Sequence, residues 1–158
     1  MSRMPTEGES APDFALQNQD DETVRLEDFT SAGKTVVLYF YPKADTPGCT
    51  AQACSIRDRG AEYEAANAVV LGVSPDSPQK LRAFADKYGL PFTLLSDPDH
   101  ELAERYGVWV EKKNYGRTYW GNERSTFVIG PDGKIDRVFR KVKPAEHDDL
   151  VLGALAAA

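Results

Sequence analysis

Short apolar runs alternate along the chain with helix-favouring segments, and this alternation limits the fold more than any other feature. Four runs are apolar at most positions, which is typical of strands buried on both faces of a sheet: residues 36–41, 69–74, 92–95 and 125–129. A turn at Pro131, Asp132 and Gly133 leads into residues 135–139, where apolar and polar residues alternate. We therefore expect the last two strands to form a hairpin.

Helical patterns fill the segments between the strands. A last helix starts near Pro144, and the earlier ones span residues 47–67, 78–88 and 98–106. Gly89 closes the helix over 78–88, while Asp97 is the expected N-cap of the next helix, with Pro98 as its first residue. Strands and helices in this order predict an α/β fold with a central mixed β-sheet flanked by helices.

Two stretches lack a clear period. Residues 111–124 are expected to form a long loop, which is a common place for the wall of a site. Residues 1–10 are polar and expected to fray. Because no repeat or linker divides the 158 residues, we expect a single domain over residues 1–158.

The overall charge limits the possible partners. Lys and Arg number 19 and Asp and Glu number 25, so the net charge of −6 argues against nucleic acid as a partner. No apolar run approaches the roughly 18–20 residues of a membrane-spanning helix, and the N-terminus lacks the apolar region of a signal peptide. We therefore expect a soluble cytoplasmic protein with no membrane partner.

The two cysteines, Cys49 and Cys54, are too few for a disulfide scaffold or a cysteine-rich zinc site. Cys49 follows the first buried strand, at the end of the sheet where α/β proteins usually bind ligands. Thr46 as N-cap and Pro47 as first helical residue make Cys49 the third residue of a helix. Unpaired backbone N–H groups and the positive end of the helix dipole favour a nucleophilic thiolate there, and Gly48 leaves space beside it.

Cys54 lies five positions further along the same predicted helix, which separates the two Cα atoms by about 8.6 Å. A disulfide needs a Cα separation of roughly 4.4–6.8 Å, so the pair can close only if the helix opens locally. The alternative is that Cys54, next to Ala53 and near Ile56, is a small buried apolar residue.

Other reactions of a cysteine lack their partners in this chain. A Cys-x-x-Cys motif needs cysteine where Gln52 stands, and a Cys-x5-Arg phosphatase loop needs arginine where Ser55 stands. A cysteine hydrolase needs a histidine, and His100 and His147 both lie in polar helical segments where we expect exposed side chains. Two cysteines and two remote histidines also lack the spacing of a metal site. Thiol redox chemistry remains.

The arrangement Pro42-x-x-x-Thr46-x-x-Cys49 is similar to the active-site motif of the peroxiredoxins. The wider run around it, with Cys54 five residues later, resembles the bacterioferritin comigratory protein (peroxiredoxin Q) branch of that family. The likeness starts near Gly8, covers most of the chain and continues in residues 95–97, 106–109 and 124–129.

The resemblance implies a thioredoxin-like fold and a thiol peroxidase that needs no metal, haem or flavin cofactor. Cys49 corresponds to the peroxidatic cysteine, which becomes a sulfenic acid on reaction with hydrogen peroxide or an alkyl hydroperoxide. Cys54 corresponds to the resolving cysteine, which closes an intramolecular disulfide that thioredoxin or a similar dithiol protein reduces. Because both cysteines belong to one chain, a monomer is expected.

Three further residues match the family pattern. Thr46 corresponds to the hydroxyl that hydrogen-bonds the thiolate and the peroxide, and Arg124 to the cation that stabilises negative charge. Pro42 corresponds to the proline that shields the thiolate from solvent. Without the resemblance, the sequence favours the alternative that Arg124 is an exposed strand-end arginine in a weak surface ion pair. The alternative for Pro42 is a plain strand terminator.

Two other functions use the same residues differently. A non-enzymatic redox sensor or relay would use the Cys49–Cys54 switch without turnover. A binding module would contain both cysteines as structural residues. Continued turnover separates the enzyme from the sensor, and loss of peroxide reactivity in Cys49→Ser separates it from the binding module.

Overall fold

The computed structural model describes residues 3–157. No helix in this range is both long and apolar enough to cross a membrane. The elements of the described range, in chain order, are β1 (Ala15–Asn18), β2 (Thr23–Arg25), α1 (Glu27–Thr30), β3 (Thr35–Phe40), α2 (Pro47–Asp58), α3 (Gly60–Ala65), β4 (Ala68–Ser74), α4 (Pro78–Tyr88), β5 (Thr93–Ser96), α5 (Glu101–Arg105), β6 (Trp109–Asn114), β7 (Arg117–Asn122), β8 (Ser125–Ile129), β9 (Ile135–Phe139) and α6 (His147–Ala157).

Seven strands of the described residues form one sheet in the order β2-β1-β5-β4-β3-β8-β9. The central strands β3, β4 and β5 are parallel, whereas β1, β2, β8 and β9 pair antiparallel with their neighbours. The prediction of a mixed central sheet is confirmed, and so is the hairpin of β8 and β9. A parallel centre requires crossover helices, which explains why helices follow β3 and β4.

Strand β3 lies in the middle of the sheet and is buried on both faces. Val37 and Tyr39 face an apolar cluster that includes residues of α2, α3, α4 and α6. Val36 and Leu38 face the opposite cluster, which includes residues of α5. Because successive side chains of a strand point to opposite faces, a continuous apolar run is what such a position requires.

Two helix predictions differ from the structure at their ends. The helix expected over 47–67 is two helices, because α2 ends at Asp58 and α3 begins after Arg59, whose φ of −106° is not helical. The helix expected over 98–106 starts later, at Glu101, so Pro98 is not its first residue. The N-cap is His100 rather than the predicted Asp97, but the carboxylate of Asp97 accepts the backbone N–H groups of Leu102 and Ala103 in the first turn at 3.1 and 3.0 Å.

The prediction of a loop over 111–124 is wrong. Most of this segment forms the antiparallel pair β6 and β7, which lies outside the seven-stranded sheet. Tyr115 and Gly116 make its turn with φ of 52° and 75°, the left-handed pair that a tight hairpin needs. The hairpin has few buried residues, so its sequence lacks an apolar face that could have indicated strands.

The segment expected to fray is ordered from residue 3 onward. Gly8 donates its N–H to the carbonyl of Ile135 at 2.8 Å, and Ser10 bridges to Lys134 beside the start of β9. Residues 1 and 2 lie outside the described range. The last helix starts at His147 rather than near Pro144.

Candidate active site

Cys49 lies in the first turn of α2, directly beyond the end of the buried strand β3. Thr46 is the N-cap, Pro47 occupies the first helical position, and Cys49 is the third residue, as predicted. The N–H groups of Gly48 and Cys49 have no partner within the helix, because only later N–H groups reach a carbonyl four residues back. The Cys49 side chain is buried in an apolar cluster and its sulfur is a free thiol.

Arg124 brings a cation to this sulfur from the segment between β7 and β8. Its Nη2 donates to Sγ of Cys49 at 3.4 Å, and its Nη1 donates to Oε1 of Gln52 at 2.6 Å. The carbonyl of Arg124 accepts the N–H of Val142 at 2.9 Å, which fixes the backbone from which the side chain extends. Arg124 is half-buried and contacts the predicted site, so it is not the exposed arginine of the alternative interpretation.

Gly48 permits this close approach. A Cβ built on Gly48 would lie 3.2 Å from Nη2 of Arg124 and 3.7 Å from Pro144. Any side chain at this position would press on the guanidinium that contacts Cys49. The absence of a side chain therefore leaves room for Arg124 beside Cys49.

Gln52 is a site residue that sequence reasoning missed. It lies three positions after Cys49 on α2, a spacing that places two side chains on the same face of a helix. Its side chain is fully buried, and its amide oxygen holds one arm of the Arg124 guanidinium. The sequence signal that could have identified Gln52 is a polar residue three positions after the candidate nucleophile Cys49.

Thr46 occupies the predicted N-cap position but does not make the predicted capping bond. Its Oγ1 donates to the carbonyl of Lys43 at 2.8 Å, and no side-chain cap bond joins it to α2. The predicted position of the N-cap is therefore correct, but the predicted side-chain hydrogen bond to the helix is absent because the hydroxyl bonds to the preceding turn. The hydroxyl lies three residues before Cys49 and is half-buried.

The loop between β3 and α2 is held at two points, one by the segment that follows β4 and one by the end of α4. Asp76, which is buried, accepts the N–H of Ala44 at 2.7 Å. Asp45 has a φ of 60° and receives hydrogen bonds from Tyr88 and Lys87 at 2.6 and 2.9 Å, which lower the pKa of its carboxyl. The half-buried Pro42 lies in this loop, two residues before Ala44.

Cys54 lies in the second half of α2 and is a free thiol like Cys49. With α2 continuous from Pro47 to Asp58, the helical separation of about 8.6 Å between the two Cα atoms applies. Cys54 is half-buried, whereas Cys49 is buried. It is therefore not the fully buried apolar residue of the alternative interpretation.

The two histidines lie elsewhere and differ from the sequence prediction. His147 was expected to be exposed, but it is only 1% exposed and lies 2.9 Å from Thr126 and 3.3 Å from Asp148. His100 is half-buried and stacks on Trp109 with ring centroids 4.1 Å apart. The exposed-surface prediction is thus wrong for His147, because its polar partners come from a distant strand and the next residue of its own helix.

The hairpin of β6 and β7 contributes a second cation near the site. Lys112 is half-buried, and burial followed by the positive charge of Arg124 lowers the pKa of its amine. Its aliphatic carbons pack along Gly121 on the neighbouring strand, with Cδ 3.7 Å from a Cβ built there. Lys112 is the observation that supports a contribution of this segment to the wall of the site.

A buried thiol in the first turn of a helix, in contact with an arginine that directly precedes a strand of the mixed sheet, is the arrangement of a thiol redox protein. Residues 8–138 match the AhpC/TSA family, so the chain belongs to that family. It is 52% identical over 148 residues to peroxiredoxin Bcp of Escherichia coli strain K12, covering 94% of each chain. Peroxiredoxin Bcp of Bacillus subtilis strain 168 is 49% identical over 140 residues, which cover 89% of this chain and 88% of the relative.

Solved structures agree with this assignment over nearly the whole chain. A cysteine-to-serine mutant of Xylella fastidiosa PrxQ superposes with a TM-score of 0.90 at 35% identity, covering 99% of this chain and 98% of that one. Peroxidoxin BcpB of Mycobacterium tuberculosis gives 0.87 at 35% identity, covering 98% of both. The fold is thioredoxin-like, the resemblance to peroxiredoxins is confirmed, and the chain is an enzyme, a thiol-dependent peroxidase.

Proposed function

We propose that the chain reduces hydrogen peroxide and alkyl hydroperoxides with Cys49 as the peroxidatic residue. The observation that carries the proposal is the contact of 3.4 Å between Arg124 Nη2 and Cys49 Sγ in the first turn of α2. A fixed cation beside unpaired N–H groups stabilises a thiolate before the reaction. The same donors stabilise the charge that moves onto the peroxide as the O–O bond breaks.

The first half-reaction oxidises Cys49 by two electrons. Its thiolate attacks one peroxide oxygen, the O–O bond breaks, and the other oxygen leaves as water or an alcohol after taking a proton. Cys49 becomes a sulfenic acid. The Thr46 hydroxyl, which now donates to Lys43, turns to the peroxide oxygen, and Pro42 limits the access of solvent.

The second half-reaction uses Cys54 as the resolving residue. Its sulfur attacks the sulfenic sulfur of Cys49, the S–O bond breaks, and water leaves as the disulfide forms. A dithiol protein of the thioredoxin type then supplies two electrons and two protons and restores both thiols. Because both cysteines lie on α2 of one chain, a monomer with a single domain suffices for the cycle.

The experiment that tests this proposal follows NADPH consumption in a mixture of the protein, hydrogen peroxide, thioredoxin and thioredoxin reductase. Cys49→Ser is expected to lose all activity above background. Cys54→Ser is expected to consume one equivalent of peroxide and then stall with Cys49 as a sulfenic or over-oxidised acid. A Cys54→Ser variant that turns over like the wild type would contradict the resolving role of Cys54, because with no other cysteine in the chain an external thiol must then reduce the sulfenic acid directly.

The same assay separates the two alternative functions. A redox sensor stops consuming NADPH after one equivalent per chain, whereas the peroxidase continues. A binding module with structural cysteines keeps its reactivity toward peroxide when Cys49 is replaced by serine. The half-buried position of Cys54 and the contact of Cys49 with Arg124 favour a redox-active pair over structural cysteines, and continued turnover separates the enzyme from the sensor.

A further inference from the structure

A buried polar cluster joins α6 to the half of α2 that carries Cys54. Asp148 accepts a short hydrogen bond from Oγ of Ser55 on its Oδ2, and another from the Tyr63 hydroxyl on its Oδ1. The same Oδ1 lies 3.3 Å from Nδ1 of His147, whose Nε2 lies 2.9 Å from Oγ1 of Thr126. Asp148 and His147 are only 3% and 1% exposed. We call these five residues the α6 cluster.

The hydrogen bonds of the α6 cluster converge on the carboxylate of Asp148. An ionised Asp148 accepts from the hydroxyl groups of Ser55 and Tyr63 and pairs with Nδ1 of His147. The other ring nitrogen of His147, Nε2, pairs with the Thr126 hydroxyl. Burial opposes ionisation of Asp148, but the hydrogen bonds from His147, Ser55 and Tyr63 outweigh it and lower the pKa of the carboxyl. Asp148 is therefore a fixed, charged acceptor for Ser55.

Ser55 follows Cys54 directly, so the two residues move together. To close the disulfide, the separation of about 8.6 Å between the cysteine Cα atoms must fall to about 6.8 Å or less. Cys49 is buried and contacts Arg124, whereas Cys54 is half-exposed, so Cys54 is the freer of the two to move. A shift of roughly 2 Å at Cys54 carries Ser55 beyond the 2.5–3.0 Å reach of a hydroxyl hydrogen bond.

We propose that the Ser55–Asp148 hydrogen bond holds the second half of α2 in place and thereby sets the rate at which Cys54 reaches oxidised Cys49. Ser55 and Asp148 are then positioning residues for the resolution step, since neither contacts the peroxide. The inference rests on the proposed role of Cys54 as the resolving cysteine. Hydrogen bonds to a charged acceptor are among the stronger ones in proteins, so the loss of this one changes the opening of α2 measurably.

The consequence is a balance between resolution and over-oxidation. A sulfenic acid that waits longer for Cys54 is exposed longer to a second peroxide, which converts it to a sulfinic acid. Easier opening of α2 therefore shortens the life of the sulfenic acid and protects Cys49. The Ser55–Asp148 bond should make the enzyme slower to resolve and more sensitive to high peroxide.

The test measures single turnover in Ser55→Ala. Reduced protein is mixed with one equivalent of hydrogen peroxide and quenched at intervals, and the sulfenic, disulfide and sulfinic forms of Cys49 are quantified by mass spectrometry. We expect the disulfide to form about tenfold faster, which corresponds to ~1.4 kcal/mol. The rate at which Cys49 consumes peroxide should not change, and half-conversion to the sulfinic acid should need about tenfold more peroxide. Disulfide formation at the wild-type rate or slower overturns the inference.

Two matched variants exclude simpler explanations. Alanine favours helix more than serine or threonine, so Thr50→Ala, on the same helix between the cysteines, should leave resolution unchanged or slower. Tyr63→Phe removes another hydrogen-bond donor to Asp148. Because the Tyr63 hydrogen bond anchors α3 rather than α2, its loss should not accelerate resolution. Acceleration by either variant to the level of Ser55→Ala contradicts a specific role for the Ser55 bond.

Amide hydrogen exchange on the unsubstituted chain gives a second measurement that needs no variant. The oxidised protein should exchange faster than the reduced protein at residues 55–57, because the Ser55 bond is broken in the disulfide form. Equal protection in both forms contradicts the inference. If the wild type forms no disulfide at all, the proposed function fails; if it forms one that Ser55→Ala does not accelerate, only the present inference fails.

Discussion

The two halves of α2 share one helix but have opposite electrostatic neighbours. The first half contains Cys49 and contacts a cation, Arg124, through the sulfur and through Gln52. The second half contains the half-buried Cys54 and is fastened by an anion, Asp148, through the hydroxyl next to that cysteine.

In the proposed cycle, this difference lets one helix serve two steps of the reaction. Arg124 stabilises negative charge at Cys49, both on the thiolate and in the transition state. Cys54 has a different role in that cycle, since it stays apart from Cys49 until the sulfenic acid exists and then moves. A hydrogen bond to a buried carboxylate holds a helix without blocking it, because a single bond can break.

The largest effect is expected at the first half, from substitution of Arg124. Arg124→Gln removes the donor that contacts Cys49, and kcat/KM for hydrogen peroxide should fall by about 10²–10³-fold, the usual cost of losing such a donor. Arg124→Lys keeps the charge but cannot reach Sγ and Gln52 together, so it should recover only part of the loss. Stopped-flow measurement of Cys49 oxidation reports this step directly.

The control for Arg124 is Arg82→Gln, which removes an exposed arginine of α4 that pairs with Asp86 and Asp20. Its rate of Cys49 oxidation should equal that of the wild type. If Arg124→Gln oxidised Cys49 as fast as Arg82→Gln does, Arg124 would have no role in the reaction.

A smaller effect is expected in the loop that leads to Cys49. Asp76→Asn weakens the buried acceptor that holds the N–H of Ala44, so the rate of Cys49 oxidation should fall by about tenfold or less. Unfolding in urea should show a loss of about 1–3 kcal/mol for the same reason. Asp45→Asn on the same loop alters an exposed contact with Lys87 and Tyr88 and should cost less than about 1 kcal/mol. Equal effects of the two variants would contradict the importance of burial at Asp76.

The strands and the start of α2 could be predicted because their signals are local. The predicted bounds of Ser125–Ile129 and Ile135–Phe139 equal the observed ones. The first segment is a run that is apolar at most positions, and the second alternates apolar and polar residues directly after a turn. The first turn of α2 is predicted by Thr46 followed by Pro47 for the same reason. A structural feature that depends on residues adjacent in the chain can be recognised from the sequence of that segment.

The rest depended on contacts between distant segments. His147 looks like a surface residue until Thr126, on another strand, brings a partner to its ring. The hairpin of β6 and β7 has no buried face to create a period, so it looked like a loop. Gln52 is polar but fully buried, and only the arrival of Arg124 explains it. The burial and the partners of these residues are set by segments that are distant in the sequence, so the residues near them in the chain give no signal.

The smallest effect concerns the carboxylate beside Arg124 and its response to acid. Burial raises the pKa of Glu123, but hydrogen bonds from Arg140 and Ser125 outweigh it, so the pKa is lowered from its usual 4.5. A carboxyl with a lowered pKa stabilises the folded chain fully above its unfolded pKa and loses this contribution as the pH falls through the folded value. Glu123→Gln should therefore lower the free energy of unfolding by a constant amount between pH 6 and pH 8, and by progressively less below about pH 4.5. Urea unfolding from pH 8 to pH 3 measures this difference, and Arg140→Gln, which removes the main donor, should reduce the same acid dependence. A difference that grows toward low pH would reverse the sign and contradict the role of Arg140.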